Sequence, residues 1–436
     1  MAHISNKLRL FGLSATIFAT FILLTHQTFL GDDWSWISIA LNHPSFAWTE
    51  PSVFARMPVF SIYMVAALKS GLLVAFPRLF LIFFFAVHAW VFASLFEVLT
   101  GLKTETLRGA QAKSFLTVGL LFTFWPNNYE IHLWHIESLH ALGALCVIYA
   151  YRIKQPILQL LLLIAAFLTY ETFVLFFAGL VLLRLVTQAG EVPASQLRGE
   201  AKRYGLLLLS AGILSLGVKL ALGKLLHQLP SITAETQPLR ILSNMKTTLN
   251  NLWLIHVYKA NWVYSILQML AFAWIAKRAH RVGGLSKRKI AALIVLPTIV
   301  ALPLALNTYT AQRAYFGPQL LMAAAFAYLS FSWLGTIQAT GLRRLGPLTL
   351  LFLLYTAQWT QLFWVKNHNY NTLQRDEAFA VKLFEQCVSP CSLILPTPGK
   401  GLKTDYVLSD VRLYYKYIAR SQFPDKSISF EISDAP

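Results

Sequence analysis

Long apolar runs with almost no charges follow one another along nearly the whole chain, and this pattern constrains the fold more than any other feature. They cover roughly 10 to 30, 79 to 99, 115 to 126, 138 to 150, 157 to 170, 172 to 187, 205 to 223, 262 to 276, 290 to 306, 318 to 337 and 348 to 364, eleven in all. About 20 apolar residues in a helix cross the hydrocarbon core of a bilayer, where each backbone N–H and C=O has to find its partner within the segment. A soluble chain carries about 25% charged residues; this one has 13%, with 56% hydrophobic residues and a mean hydropathy of +0.55. The expectation is an all-α polytopic membrane protein with eleven transmembrane helices. Disordered, collagen-like and disulfide-scaffold chains are excluded by the same composition.

A net charge of +18 would raise the question of nucleic acid in a soluble protein. In a membrane protein, Lys and Arg flanking the spans account for it, so no nucleic-acid partner is expected. The first run follows Lys7 and Arg9 and lacks a small-residue cleavage site; it reads as an uncleaved anchor rather than a signal peptide, with its amino end inside. The stretch 58 to 76 is apolar enough to span, but Lys69-Ser70-Gly71 interrupts it and Pro77-Arg78 closes it. Laid along the outer interface, it leaves 19 basic residues inside, nine in the outer loops and nine in the tail. The positive-inside rule selects that arrangement.

The resulting layout is a transmembrane domain over 1 to 364, with outer loops 31 to 78, 125 to 139 and 224 to 261, interfacial helices on the outer face, and an outer domain over 365 to 436. Within the tail, a helix-like stretch from 372 to 386, a strand-like 392 to 396 and an apolar-aromatic run from 406 to 418 suggest a small α+β unit. Cys387 and Cys391 fit an oxidised pair if the tail lies outside and free thiols if it lies inside. Cys146 sits in an apolar run and reads as packing.

Ionisable groups near the outer ends are the candidates for chemistry. Asp32 and Asp33 follow the first run directly, and adjacent carboxylates there can supply a general base or a cation site. One of them can equally cap a short interfacial helix carrying Trp34 and Trp36. The second loop packs Glu130, His132, His135, Glu137 and His140 into eleven residues. Without an H-E-x-x-H spacing this reads as the polar lining of a cavity rather than a zinc site. Tyr170-Glu171 breaks two apolar runs with no linker, so Glu171 faces either the interior and outer cavity or a tight exposed turn. Arg313, alone in its short outer loop, suits a lipid phosphate or headgroup anchoring. Arg56, Lys224, Arg240, Lys246, His256 and Lys259 are weaker candidates for the same task. His26 and His88 read as core histidines. No Walker, G-x-G-x-x-G or G-x-S-x-G motif is present.

Several of these pieces, taken in order, resemble the GT-C superfamily of membrane glycosyltransferases. They are an anchor ending in G-D-D-W, the segment R-M-P-V-F-S-I-Y-M-V-A-A-L-K-S-G, an aromatic-acidic second loop, T-Y-E-T-F-V-L-F at 169 to 176 and Q-R-A-Y-F-G-P-Q-L-L at 312 to 321. The likeness covers most of the chain in layout through short, degenerate motifs. It implies a polyprenyl-phosphate sugar donor, a glycan or lipid-linked acceptor, and a bacterial inner membrane location with a cytoplasmic N-terminus and a periplasmic tail. It also implies Asp32 or Asp33 as the base, with assistance from Glu130 or Glu137. Arg313 would hold the leaving phosphate, and Arg56, His132, His135, Tyr170, Glu171 and Lys259 would contact substrate. A divalent cation, Mg or Mn, stays open as cofactor, because the chain has no clean D-x-D, and no metal ligand set is assigned. Other readings of the same layout are an O-antigen-type polymerase or ligase, a transporter or flippase, and a scaffold.

Overall fold

A computed structural model describes residues 5–24, 57–70, 76–125, 139–190, 192–227, 237–254, 256–257, 259–260, 262–306, 312–334 and 346–396, and in the tail 415, 418–419, 422–423 and 425–433. Among them are thirteen α-helices: α1 (Asn6–Leu24), α2 (Pro58–Lys69), α3 (Pro77–Thr100), α4 (Gly109–Thr123), α5 (His140–Arg152), α6 (Pro156–Thr169), α7 (Phe173–Gln188), α8 (Ala194–Leu225), α9 (Pro238–Trp253), α10 (Trp262–Arg281), α11 (Lys287–Ala301), α12 (Phe316–Leu334) and α13 (Gly346–Gln386). The described part of each expected apolar run lies on a helix to within two residues of its ends, except that the run over 290 to 306 ends in the 3-10 turn Leu302–Leu306.

Helix boundaries follow from local chemistry. Pro77, Pro156 and Pro238 open α3, α6 and α9, where a missing N–H costs nothing. At the other end of α3, Gly101 takes a left-handed φ of 72°, and its N–H closes the helix on the Glu97 carbonyl. The hydroxyl of Ser286 accepts from the Lys289 N–H at 3.2 Å and caps α11.

Four described helices are long and apolar enough to cross a bilayer, over Asn6–Leu23, Arg78–Thr100, Ala194–Leu225 and Lys287–Leu306. Such helices make this a membrane protein. α8 shows why water is the wrong solvent: Leu206, Leu209, Ile213, Leu214, Leu216 and Leu220 are all exposed. A contiguous apolar face of that extent belongs against lipid. The 12 residues of α2 rise only about 18 Å, too little to cross unaided.

The bundle is organised around α12, of which only Tyr328 and Ser332 are not fully buried. Its Met322-Ala323-Ala324-Ala325 stretch lets neighbours close in from every side, as small residues do between helices in lipid. Phe326 stacks on Phe272 of α10 with ring centroids 3.7 Å apart, and Phe331 meets Phe96 of α3 edge-on at 4.9 Å. α1 lies along α3 through the stacked pair Phe18 and Phe85, 4.0 Å between centroids.

A polar network locks one end. The Glu97 carboxylate accepts from Lys7 Nζ at 3.2 Å, Arg152 Nη1 at 2.7 Å, and the Thr104 N–H and hydroxyl at 3.0 and 2.6 Å. Asn6 donates to the carbonyls of Thr104 and Leu107, and Arg184 donates to that of Leu99 at 3.1 Å. These contacts join the start of α1 to the ends of α3, α5 and α7, so α1 runs opposite to the other three. His140 at the start of α5, Tyr170 after α6 and Phe316 at the start of α12 therefore gather at the opposite end.

α13 runs 41 residues, about 60 Å, roughly twice the hydrocarbon thickness. It carries the chain from the bundle straight into the tail, so the position between 364 and 365 falls inside one continuous helix. At its C-terminus Lys426 Nζ donates to the carbonyls of Phe384, Glu385 and Cys387, satisfying acceptors the helix leaves open. Strand β3 (Cys391–Pro396) pairs in parallel with β4 (Ile428–Ser433), and Cys387 is joined to Cys391 in a disulfide. A second apolar core formed by Phe384, Leu395, Tyr415 and Ile418 includes Phe60 of α2 and Leu139. The tail thus packs on the His140 end of the bundle.

Lys7 is buried and Glu97 partly so, each side chain 10% exposed, so removing the carboxylate leaves a largely covered ammonium without its ion-pair partner. Glu97→Gln is expected to lower stability by about 3 kcal/mol. It should lower the thermal midpoint of the detergent-purified protein, whereas Glu105→Gln, at an exposed position, should leave it unchanged.

Candidate functional site

The ends of three loops meet at one buried imidazole. His140 opens α5 directly after the second loop, and its ring packs edge-on against Tyr170 with centroids 4.7 Å apart. The same ring meets Phe316 at 6.0 Å, Phe173 at 6.1 Å and Phe60 at 6.4 Å. His88 of α3 packs on the other contact surface of this group, 5.4 Å from the Phe316 ring. Phe60 lies four residues after Arg56, and Phe316 lies three after Arg313. Chain emerging from the first loop, the second loop and the 307 to 311 segment is thereby drawn to a single spot.

Local structure explains each placement. α6 ends because Tyr170 is extended, its N–H bonding the Ala166 carbonyl, and the chain reverses over Glu171 and Thr172 before α7. α5 can lie close to α7 because Gly143 faces the Phe173 ring; a Cβ there would collide with it. The α7 to α12 contact has the same device at Gly179, where a Cβ would strike Leu321. The exit of α4 into the second loop is held by Trp359 Nε1 donating to the Phe124 carbonyl at 2.8 Å. Trp125 stacks on Phe272, 5.4 Å between centroids.

Of the residues expected in the site, Tyr170 is buried against His140. Glu171 is half-buried in its tight turn, with its carboxylate 3.7 Å from Lys219 Nζ of α8. Arg313 lies in the 3-10 turn Gln312–Tyr315, which leads into α12. Lys259 lies in β2 (Lys259–Ala260), which pairs antiparallel with β1 (His256–Val257). Asp32, Asp33, Arg56, Glu130, His132, His135 and Glu137 lie outside the described residues. Among the described residues no three His, Cys, Asp or Glu side chains gather as a metal site.

Two features escaped the sequence reading. Lys219 is a lone cation in I-L-S-L-G-V-K-L-A-L, and the signal for it was the equally isolated Glu171: two single opposite charges in apolar runs have reason to meet. His88 and His140 approach through Phe316, and no spacing in the sequence reports that. An apolar groove of about 510 Å³ also lies between α1, α4 and α13, lined by Ile17, Phe21, Leu120, Phe124, Phe352 and Trp359 among others. Its Phe124 and Trp359 border the start of the second loop.

No protein-family model matches the chain, no curated protein matches it, and no solved structure matches its fold.

The close approach at Gly143 makes a measurable demand. Gly143→Ala should push α5 off Phe173 and lower the thermal midpoint by an amount equivalent to about 1–3 kcal/mol, the usual cost of overpacking. Gly205→Ala in α8 meets open space and should leave the midpoint unchanged or raise it.

Proposed function

We propose that the chain is an inverting glycosyltransferase of GT-C type, moving a hexose from a polyprenyl-phosphate sugar to a glycan or lipid-linked acceptor at the outer face of the bacterial inner membrane. The observation that carries this reading is the convergence of Phe60, Tyr170 and Phe316 on His140. Support for it is that Phe60, His140 and Phe316 lie close in sequence to the segments bearing Asp32, Asp33, Glu130 and Glu137 and to the turn bearing Arg313. An acceptor, a base and a phosphate-binding cation have to stand close together for group transfer.

In this mechanism Asp32 or Asp33 takes the proton of an acceptor hydroxyl as its oxygen attacks the anomeric carbon. The bond from that carbon to the donor phosphate oxygen breaks, the configuration inverts, and the polyprenyl phosphate leaves with its charge opposed by Arg313. Glu130 or Glu137 assists the base. Arg56, Lys259, Tyr170, Glu171, His132 and His135 shape the substrate site, and a divalent cation is compatible with the carboxylates. The groove beside Phe124 and Trp359 suits an isoprenoid chain arriving through the bilayer. Eleven spans, a cytoplasmic N-terminus and a periplasmic tail belong to the same proposal.

The Glu171 and Lys219 pair favours one second reading. Intramembrane ion pairs also mark the paths of transporters and flippases.

Purified protein with radiolabelled polyprenyl-phosphate hexoses separates the two. Asp32→Asn or Asp33→Asn should lower turnover on the order of 10²–10⁴-fold while donor binding persists. EDTA reports on the cation. Turnover at the wild-type rate in both variants, or no consumption of any donor, refutes the transferase.

A further inference from the structure

We infer that α9 lies in the plane of the bilayer–water interface at the His140 end of the bundle, with a leucine stripe in the apolar layer. The inference rests on the membrane assignment alone and stands or falls separately from the transferase reading.

α9 has three faces rather than two. Ile241, Met245, Thr248 and Leu252 recur at a spacing of four, three and four and turn toward the protein, with Thr248 and Leu252 buried. Leu239, Leu242, Lys246 and Leu249 form a second stripe that no described element covers. Leu239 is 82% exposed and Leu242 61%. Arg240, Ser243, Thr247 and Asn250 form a third, polar stripe. A helix immersed in water has no use for the second face, and one immersed in lipid has no use for the third. The interface is the one place that solvates both.

Contacts of the protein-facing side fix its depth. Asn244 Nδ2 donates to the Ala305 carbonyl at 3.1 Å, at the very end of the apolar segment Lys287–Leu306. Thr248 and Tyr315 share a hydrogen bond between their hydroxyls at 3.1 Å, and Gln319 Nε2 donates to the Asn251 carbonyl at 3.1 Å. The helix is therefore fastened where apolar helices end. Lys246 in the middle of the leucine stripe fits this depth, since its stem can lie along the apolar layer while its ammonium reaches a headgroup phosphate. α9 carries no acidic residue to compete for it. Because Tyr315 closes the turn containing Arg313, seating α9 in the interface also sets how deep that turn sits.

The test uses the full chain with Cys146→Ser, reconstituted into phosphatidylcholine and phosphatidylglycerol vesicles. Nitroxide labels are placed singly at Leu242→Cys, Leu249→Cys, Ser243→Cys and Thr247→Cys, all at exposed positions. Collision with oxygen relative to a water-soluble nickel chelate should be several-fold higher at 242 and 249 than at 243 and 247. Equal nickel access at all four positions would place the helix in water and overturn the inference. Protection of 242 and 249 from both reagents would mean that a protein, a second copy included, covers the stripe, and would overturn it equally.

Discussion

Among the described residues, Glu97 is the carboxylate on which three basic or hydroxyl-bearing segments converge. Lys7 enters the bundle at the start of α1, Arg152 at the end of α5, and the Thr104 turn caps the end of α3; each finds its charge or hydrogen-bond partner on the same two oxygens. Without that carboxylate, the Lys7 ammonium, whose side chain is 10% exposed, loses its ion-pair partner. Its position therefore fixes which helix ends lie together, and by subtraction which ends are left for the loops. The gathering of Phe60, Tyr170 and Phe316 about His140 follows from that register.

The two ends are built from different materials. One is tied together by ion pairs and hydrogen bonds about Glu97. The other is floored by aromatic rings and two histidines, with the tail packed over one side through Phe60 and Leu139. A floor of rings is stiff, because interdigitated aromatics at this density leave few alternative rotamers. Glu171 and Lys219 add an ion pair at the rim, where each alone would be costly against lipid.

Much of the helical plan was legible from the sequence. Uncharged runs gave the helices, and the strand-like Ser392 to Pro396 the strand now seen as β3. The helical stretch from 372 to 386 was also visible, but not its continuity with the preceding span: polar residues from Lys366 onward look like a linker, although helix propensity carries the backbone through them. What stayed hidden were pairings. α12 is apolar on every side, so no periodicity says which neighbour meets which face. Lys7 with Glu97, and His140 with Phe316, join residues far apart in the chain, and only three-dimensional packing reveals them. For the candidate site, the sequence supplied the charges and the structure supplied the place where their loops begin and end.

The central claim is that the first and second outer loops stand over one shared site. The most direct measurement is cross-linking in native membranes of the Asp33→Cys, Glu137→Cys double variant, on a Cys146→Ser background, with a short bis-maleimide. A covalent link between the two loops, detected after proteolysis within a single chain, is the predicted result. Ready labelling of both cysteines by a monofunctional maleimide without any link between them would show loops that stand apart, and would contradict the account.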